Sequence, residues 1–199
     1  MHAAAPELIL ASASPRRRGL LSGAGVSFTV MPADIDESAL PGEAPSALVV
    51  RLAGEKARAI GGRLGAAPRR LVLGSDTVVV IGEDVLGKPR DPAHAVALLG
   101  QILGRRHTVL TGVALLDTES GELRSCCVAS DVVMRAASGA EVSAYVASGE
   151  PLDKAGAYAL QGEGRKFVEC VIGSESNVIG LPLEETLALL RSAGLPVRA

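Results

Sequence analysis

The ten residues Leu8-Ile-Leu-Ala-Ser-Ala-Ser-Pro-Arg-Arg17 constrain this chain more than any other stretch. Leu8 to Ala11 is an apolar run of the length of a short buried strand. Ser14 followed by Pro15 reads as an N-cap with proline in the first helical turn, where its missing N–H costs nothing. Arg16, Arg17, Arg18, Leu20 and Leu21 continue that helix, and Gly23 and Gly25 end it. A strand therefore runs directly into a helix whose N-terminus carries hydroxyls and guanidinium groups. Free backbone N–H groups, the positive end of the helix dipole and arginine forks make an anion site, most naturally for phosphate. Ser14, Arg16 and Arg17 are its candidate ligands. A plain strand–helix junction with solvated arginines would give the same pattern. It is not a P-loop, because no glycine-rich run precedes a Gly-Lys-Ser/Thr.

The rest of the chain alternates strands and helices. Residues 26–32 read as a second strand leading into the acidic loop Asp34-Ile-Asp-Glu37. Leu48, Val49, Leu52, Ala53 and Ile60 recur on one face of a helix over residues 46–64. Residues 71–81 and 85–89 form a hairpin across Gly82-Glu-Asp84, and residues 92–103 a helix stopped by Gly104. Residues 107–117 and 122–134 alternate as a long hairpin around Ser120-Gly121. Ser138-Gly-Ala-Glu141 is a capping box opening a helix to Ser148. A glycine-rich segment over 153–162, a strand over 166–172 and a helix over 182–192 complete the pattern. No repeat or linker interrupts it, so residues 1–199 read as one mixed α/β domain.

Composition removes several function classes. The net charge of −2 gives no electrostatic case for nucleic acid or an anionic membrane. Aromatics are 2% of the chain, which leaves little for base-stacking platforms. Residues 78–81 are too short an apolar run to span a bilayer, and no signal-peptide pattern is present. Cys126, Cys127 and Cys170 are odd in number and lack zinc spacing, which fits a reducing cytoplasm. Arginine supplies nearly all the basic residues; lysine stands only at 56, 88, 154 and 166. Those few positions suit a compact ammonium.

Asp76, in Gly74-Ser-Asp-Thr-Val-Val-Val80, is the most informative carboxylate, because aspartate is disfavoured inside a strand. It either caps a strand end or serves chemistry. Gly74 permits a bulge or a closely approaching ligand. Lys88, on the partner strand of the hairpin, is expected to come towards Asp76. Lys56 sits between Leu52 and Ile60 on the apolar helix face, and either snorkels outward or points into a cleft floor. Magnesium takes one or two carboxylates together with phosphate oxygens and water, so Asp76 and Glu37 are candidate metal ligands. Asp34, Asp36 and Asp84 read as solvated loop charges. His107 lacks a nucleophile motif and reads as structural. Gly156 fits backbone near a ligand or a tight turn equally well. Gln161 can donate and accept at once and so can read a base edge. Residues 174–181, with Asn177 and Gly180, either close the site or lead into the last helix.

Taken in order, Leu10-Ala-Ser-Ala-Ser-Pro-Arg-Arg17, Glu37, Arg51-Leu-Ala-Gly-Glu-Lys56, Gly74-Ser-Asp-Thr77, Gly87-Lys-Pro89, His107-Thr-Val-Leu-Thr-Gly112, Asp153-Lys-Ala-Gly-Ala-Tyr158, Gln161-Gly162 and Asn177-Val-Ile-Gly-Leu-Pro182 resemble the Maf family of nucleoside triphosphate pyrophosphatases. The resemblance implies a mixed twisted β-sheet with flanking helices and two lobes around a nucleotide-holding cleft, related to inosine triphosphate pyrophosphatases. It implies cleavage of a nucleoside triphosphate to monophosphate and pyrophosphate with a divalent cation, Mg²⁺ or Mn²⁺/Co²⁺. It places Asp76 as proton acceptor and Arg17, Glu37, Lys56 and Lys88 in the site. Arg16, Thr77 and Gln161 are the combination of the branch acting on dTTP and UTP. The branch acting on 7-methyl-GTP carries Trp, Gln and Glu there. A homodimer is expected. The rival readings are a nucleotide-binding regulatory protein of cell division and a binding module without turnover.

Overall fold

The computed structural model describes residues 5–197. Its centre is a seven-stranded mixed sheet in the order β2-β1-β3-β5-β6-β7, with β4 paired to β3. β1 (Glu7–Leu10) is parallel to both β2 (Thr29–Val30) and β3 (Arg70–Ile81), whereas β4 (Asp84–Leu86) folds back antiparallel on β3. β5 (Arg106–Asp117) and β6 (Leu123–Met134) form the long hairpin, and β7 (Val168–Ile172) is antiparallel to β6. The helices are α1 (Pro15–Gly23), α2 (Pro45–Leu64), α3 (Pro92–Ile102), α4 (Gly139–Ala147), α5 (Glu175–Ile179) and α6 (Leu183–Ser192). None among the described residues is long and apolar enough to cross a membrane.

The chain folds as two compact units. The first contains residues up to Asp76, Thr111–Val128 and the chain from Gly180 onward. The second contains Thr77–Leu110 and Ala129–Ile179.

In the first unit the two-residue alternation of β1 and β3 builds a core on each face of the sheet. Leu8, Leu10, Leu71 and Leu73 join Leu21 of α1 and Leu190 of α6 on one face. Ile9, Ala11 and Val72 meet Ala57 and Ile60 of α2 on the other. Because both faces are covered, residues 8–10 of β1 and 71–73 of β3 are apolar without a break, as buried parallel strands are. Two glycines let α2 lie directly on the strands. A Cβ on Gly74 of β3 would fall 2.0 Å from the Ala53 carbonyl oxygen, and one on Gly112 of β5 would fall 2.1 Å from that of Val49. The backbone of α2, and not a ligand, approaches Gly74.

The second unit packs α3 and α4 around Val79, Leu86, Val109, Val132, Tyr145 and Phe167. The capping box of α4 forms as its sequence predicts: the Ser138 hydroxyl accepts from the Glu141 N–H, and the Glu141 carboxylate accepts from the Ser138 N–H. Three short 3₁₀ turns, Glu150–Asp153, Ala155–Ala157 and Glu163–Phe167, fill the segment before β7. The expected strand over 26–32 contracts to two residues, and the strand expected from 166 begins only at Val168.

Candidate active site

The N-terminus of α1 follows the end of β1, on the side of the parallel strands where α/β proteins bind their ligands. Ser14 is its N-cap: the hydroxyl accepts the Arg17 N–H at 3.4 Å, and Pro15 occupies the first turn. Ser12, buried just beyond β1, accepts from the Ser14 N–H and from Arg17 Nη1, both at 3.2 Å. Arg17 Nε donates to the Gly180 carbonyl at 2.8 Å, and the Ser75 hydroxyl donates to the same oxygen at 3.3 Å. Arg17 is thus held from two segments far apart in sequence. Burial lowers its pKa from the ordinary guanidinium value, an effect opposed by Asp76 and Glu37 and reinforced by Arg16. Arginine still carries its charge at any physiological pH. The hydrogen bond of Ser75 to the Gly180 carbonyl was not legible, since it is a contact of high sequence separation.

β3 runs on past the end of β1, whose last partner pair is Leu10 with Leu73. Val72, Gly74 and Asp76 share one face by the two-residue period, and that face carries α2. With α2 lowered onto Gly74, Lys56 points at Asp76: Nζ lies 2.6 Å from Oδ1. Lys56 does not snorkel. It is buried, at 6% exposure, and so is Asp76, at 8%. Lys56 Nζ also meets Glu37 Oε1 at 2.5 Å, from the loop between β2 and α2. The lysine hydrogen-bonded to Asp76 is therefore Lys56, from α2. β4 ends at Leu86, because Pro89 has no N–H to extend the ladder and the Gly87 carbonyl accepts from Gly156 instead. Lys88 lies exposed beyond the strand end.

Arg51 fixes the loop that delivers Glu37. It donates to the Ser38 carbonyl at 3.0 Å and, through Nε and Nη2, to both oxygens of Glu43 at 2.6 and 2.7 Å. Glu43 in turn accepts the Leu40 N–H. The guanidinium holds the Glu43 carboxyl well down, to about 2. This forked pair sits about one turn before Lys56 on α2. The only trace of it in the sequence is the four-residue spacing of Arg51 and Glu55, which also pair.

Thr77, Lys88 and Gln161 belong to the second unit. Thr77 is half-buried in β3, directly after Asp76; Gln161 is exposed, just before the turn Glu163–Phe167. His107 is structural: it is buried, its Nε2 lies 2.8 Å from the Tyr158 hydroxyl, and the rings meet edge to face. Burial pushes its pKa down to about 4. Gly156 makes a tight turn at φ +68 with Val79 packed against it, which accounts for that glycine without a ligand. Asn177 is buried and donates to the Val109 carbonyl and the Ser130 hydroxyl, so it anchors α5. Asp34, Asp36 and Asp84 are exposed, as solvated charges should be.

Residues 7–193 match the family described as Maf-like protein. The chain belongs to that family. Its Maf-like relatives match over nearly their whole length. One, a dTTP/UTP pyrophosphatase from Anaeromyxobacter dehalogenans (strain 2CP-C), is 52% identical over 195 residues, covering 97% of both chains. A second, a dTTP/UTP pyrophosphatase from Myxococcus xanthus (strain DK1622), is 53% identical over 96% of this chain and 94% of its own. A third, from Pectobacterium atrosepticum and also a dTTP/UTP pyrophosphatase, is 49% identical over 94% and 96%. A solved nucleoside-triphosphatase / dITP/XTP pyrophosphatase from Mycobacterium abscessus aligns with 94% of this chain and 98% of its own at a TM-score of 0.42 and 15% identity. A likeness that loose adds nothing to the Maf-like assignment.

Proposed function

We propose that this Maf-like chain hydrolyses dTTP and UTP to the nucleoside monophosphate and pyrophosphate. The observation that carries the reading is the buried Lys56, held between Asp76 and Glu37. Two carboxylates from different segments converge there on one positive charge, and Arg17 lies near enough to feel both. About half-identity to proteins named dTTP/UTP pyrophosphatase supports the choice of substrate.

Cleavage between the α- and β-phosphates requires water to attack the α-phosphorus while pyrophosphate leaves. Asp76 accepts the water's proton, and a carboxylate positioned for that task contributes typically about 10²–10⁴-fold. Lys56 orients Asp76 through their hydrogen bond. Arg17, its donors fixed by Ser12 and Gly180, and Lys88 neutralise the charge that builds on the phosphates, a fixed electrostatic effect. The hydroxyl of Ser14 and the N–H groups of the first turn of α1 bind a phosphoryl group.

Asp76 and Glu37 fit a divalent cation. Both offer hard oxygen donors at a position that already attracts a cation, and no cluster of three or more metal-ligating side chains exists among the described residues. That set suits Mg²⁺, or Mn²⁺ or Co²⁺, with phosphate oxygens and water completing the shell. Such an ion supplies neutralisation of the leaving pyrophosphate. Arg16, Thr77 and Gln161 choose the base: Gln161 offers a paired donor and acceptor to the alternating carbonyl and N–H groups of uracil or thymine. The working assembly is a homodimer in the cytoplasm.

The test is steady-state kcat/KM for dTTP, UTP, CTP, ATP, GTP and 7-methyl-GTP with Mg²⁺ or Mn²⁺, reading pyrophosphate release. dTTP and UTP should lead, with the purines and 7-methyl-GTP much poorer. Absence of pyrophosphate with every nucleotide and metal would overturn the enzyme. A preference for 7-methyl-GTP would overturn only the base assignment.

A further inference from the structure

Lys56 stands between two carboxylates that reach it from segments of unequal freedom. Asp76 comes from β3 and is buried; its Oδ1 lies 2.6 Å from Nζ. Glu37 comes from the loop between β2 and α2, and its side chain is 53% exposed; its Oε1 lies 2.5 Å from the same nitrogen. Two carboxylates converging on one point repel each other, and the ammonium is the cation that lets them meet. Lysine suits that place as a compact charge with three N–H donors, of which these carboxylates engage two. A divalent cation ligated by Asp76 and Glu37 would need the same position. Such an ion could share those oxygens with Lys56 only against a like charge at close range.

We propose that Lys56 is a resident cation: in the nucleotide-free protein its ammonium withholds Glu37 from metal, and a triphosphate draws it away. This inference rests on the proposed reading of Asp76 and Glu37 as metal ligands. The exchange is charge for charge. A phosphate oxygen gives the ammonium an anion in place of Glu37, and Glu37 turns to the ion that the triphosphate brings with it. Glu37 is the partner that moves, because a half-exposed side chain on a loop can be re-aimed without disturbing the sheet, whereas Asp76 is packed in a strand. The hydrogen bond of Lys56 to Asp76 need not break, so the proton acceptor stays oriented. Metal and nucleotide therefore load together, and metal does not load first.

The experiment titrates Mn²⁺ into the nucleotide-free protein and reads the unbound ion by electron paramagnetic resonance. The parent is compared with Lys56→Met, Glu37→Gln, the double variant of the two, and Arg58→Met. Lys56→Met keeps most of the buried stem and removes the ammonium. Mn²⁺ should then bind about tenfold tighter or more, the scale of removing a unit charge beside the ligating oxygens. Adding Glu37→Gln should cancel that gain. Arg58→Met takes the same charge from the exposed side of α2 and should stay within about twofold of the parent, because water and salt screen it. Lys56→Gln, neutral but able to donate to Asp76, serves the same comparison should Lys56→Met not fold. No gain on removing the ammonium, with Glu37→Gln still weakening Mn²⁺ binding in the presence of the uncleaved analogue α,β-imido-UTP, would overturn the inference and leave the metal reading standing. An equal gain in Arg58→Met would mark a general effect of charge and also overturn the inference. No effect of Glu37→Gln in either background, with or without the analogue, would overturn both.

Discussion

A lysine and an aspartate, both under a tenth exposed, form the residue-scale centre of this protein. Breaking a buried ion pair from one side strands the other charge, at about 3–5 kcal/mol. The two sides are not equivalent here. Without Asp76, Lys56 keeps Glu37 as a partner; without Lys56, the buried Asp76 loses its hydrogen bond and close counter-charge. Lys56→Ala should therefore cost about 3 kcal/mol of unfolding free energy and Asp76→Asn distinctly less, read by urea denaturation. Activity should order the other way. Asp76→Asn keeps the shape but removes the proposed proton acceptor, so turnover of the folded variant should fall about 100-fold or more. A folded Asp76→Asn enzyme at near-parent rate would mean that another group takes the proton.

At the scale of elements, the candidate site depends on how low α2 sits. Gly74 and Gly112 remove the side chains that would hold it off β3 and β5, and Lys56 reaches Asp76 as a result. Gly74→Ala forces a methyl within 2.0 Å of a backbone oxygen, which must shift because it belongs to a helix and not to a flexible tip. Overpacking of this kind costs about 1–3 kcal/mol or more, and here it also displaces Lys56, so melting temperature and turnover should fall together. Gly62→Ala on the exposed side of the same helix meets nothing within 4 Å and should stabilise by about 0.5–1 kcal/mol with activity kept. The contrast explains what a sequence can show. α1, α2, α4 and the β5–β6 hairpin were legible because caps and periodicity are local, and Ser14, Arg17 and Lys56 could be singled out with them. The contact of Lys56 with Asp76 was not legible because it passes from helix to strand across a glycine, whereas hairpin logic sees neighbours in the chain. The 3₁₀ turns between α4 and β7 leave no period to read. The hold of Glu150 on Glu163 and Gly164 shows only as hydrogen bonds.

For the molecule as a whole, acid is the stress to which this interior is most open. His107 is buried against Tyr158, and its Nδ1 has no hydrogen-bond partner among the described residues. In the protonated ring both nitrogens are donors, and nothing among the described residues accepts from Nδ1. Burial, only partly offset by Asp131, holds the folded pKa near 4, against 6.5 as the ordinary value. The unfolded chain therefore takes up the proton first, and stability is complete above about pH 6.5 and declines as pH falls towards 4. At pH 5 the loss is on the order of 2 kcal/mol, or several degrees in melting temperature for a chain of this size. Glu43 and Glu141, each held down to about 2 by an arginine, act in the same direction but only below their ordinary value of 4.5. The interval between pH 6.5 and 5 thus isolates the histidine. His107→Gln keeps a polar partner for Tyr158 and cannot titrate, so its melting temperature should be nearly flat across that interval while the parent's falls. Parallel curves for the two proteins would show that acid enters elsewhere, and that the His107–Tyr158 pair does not set the acid limit of the fold.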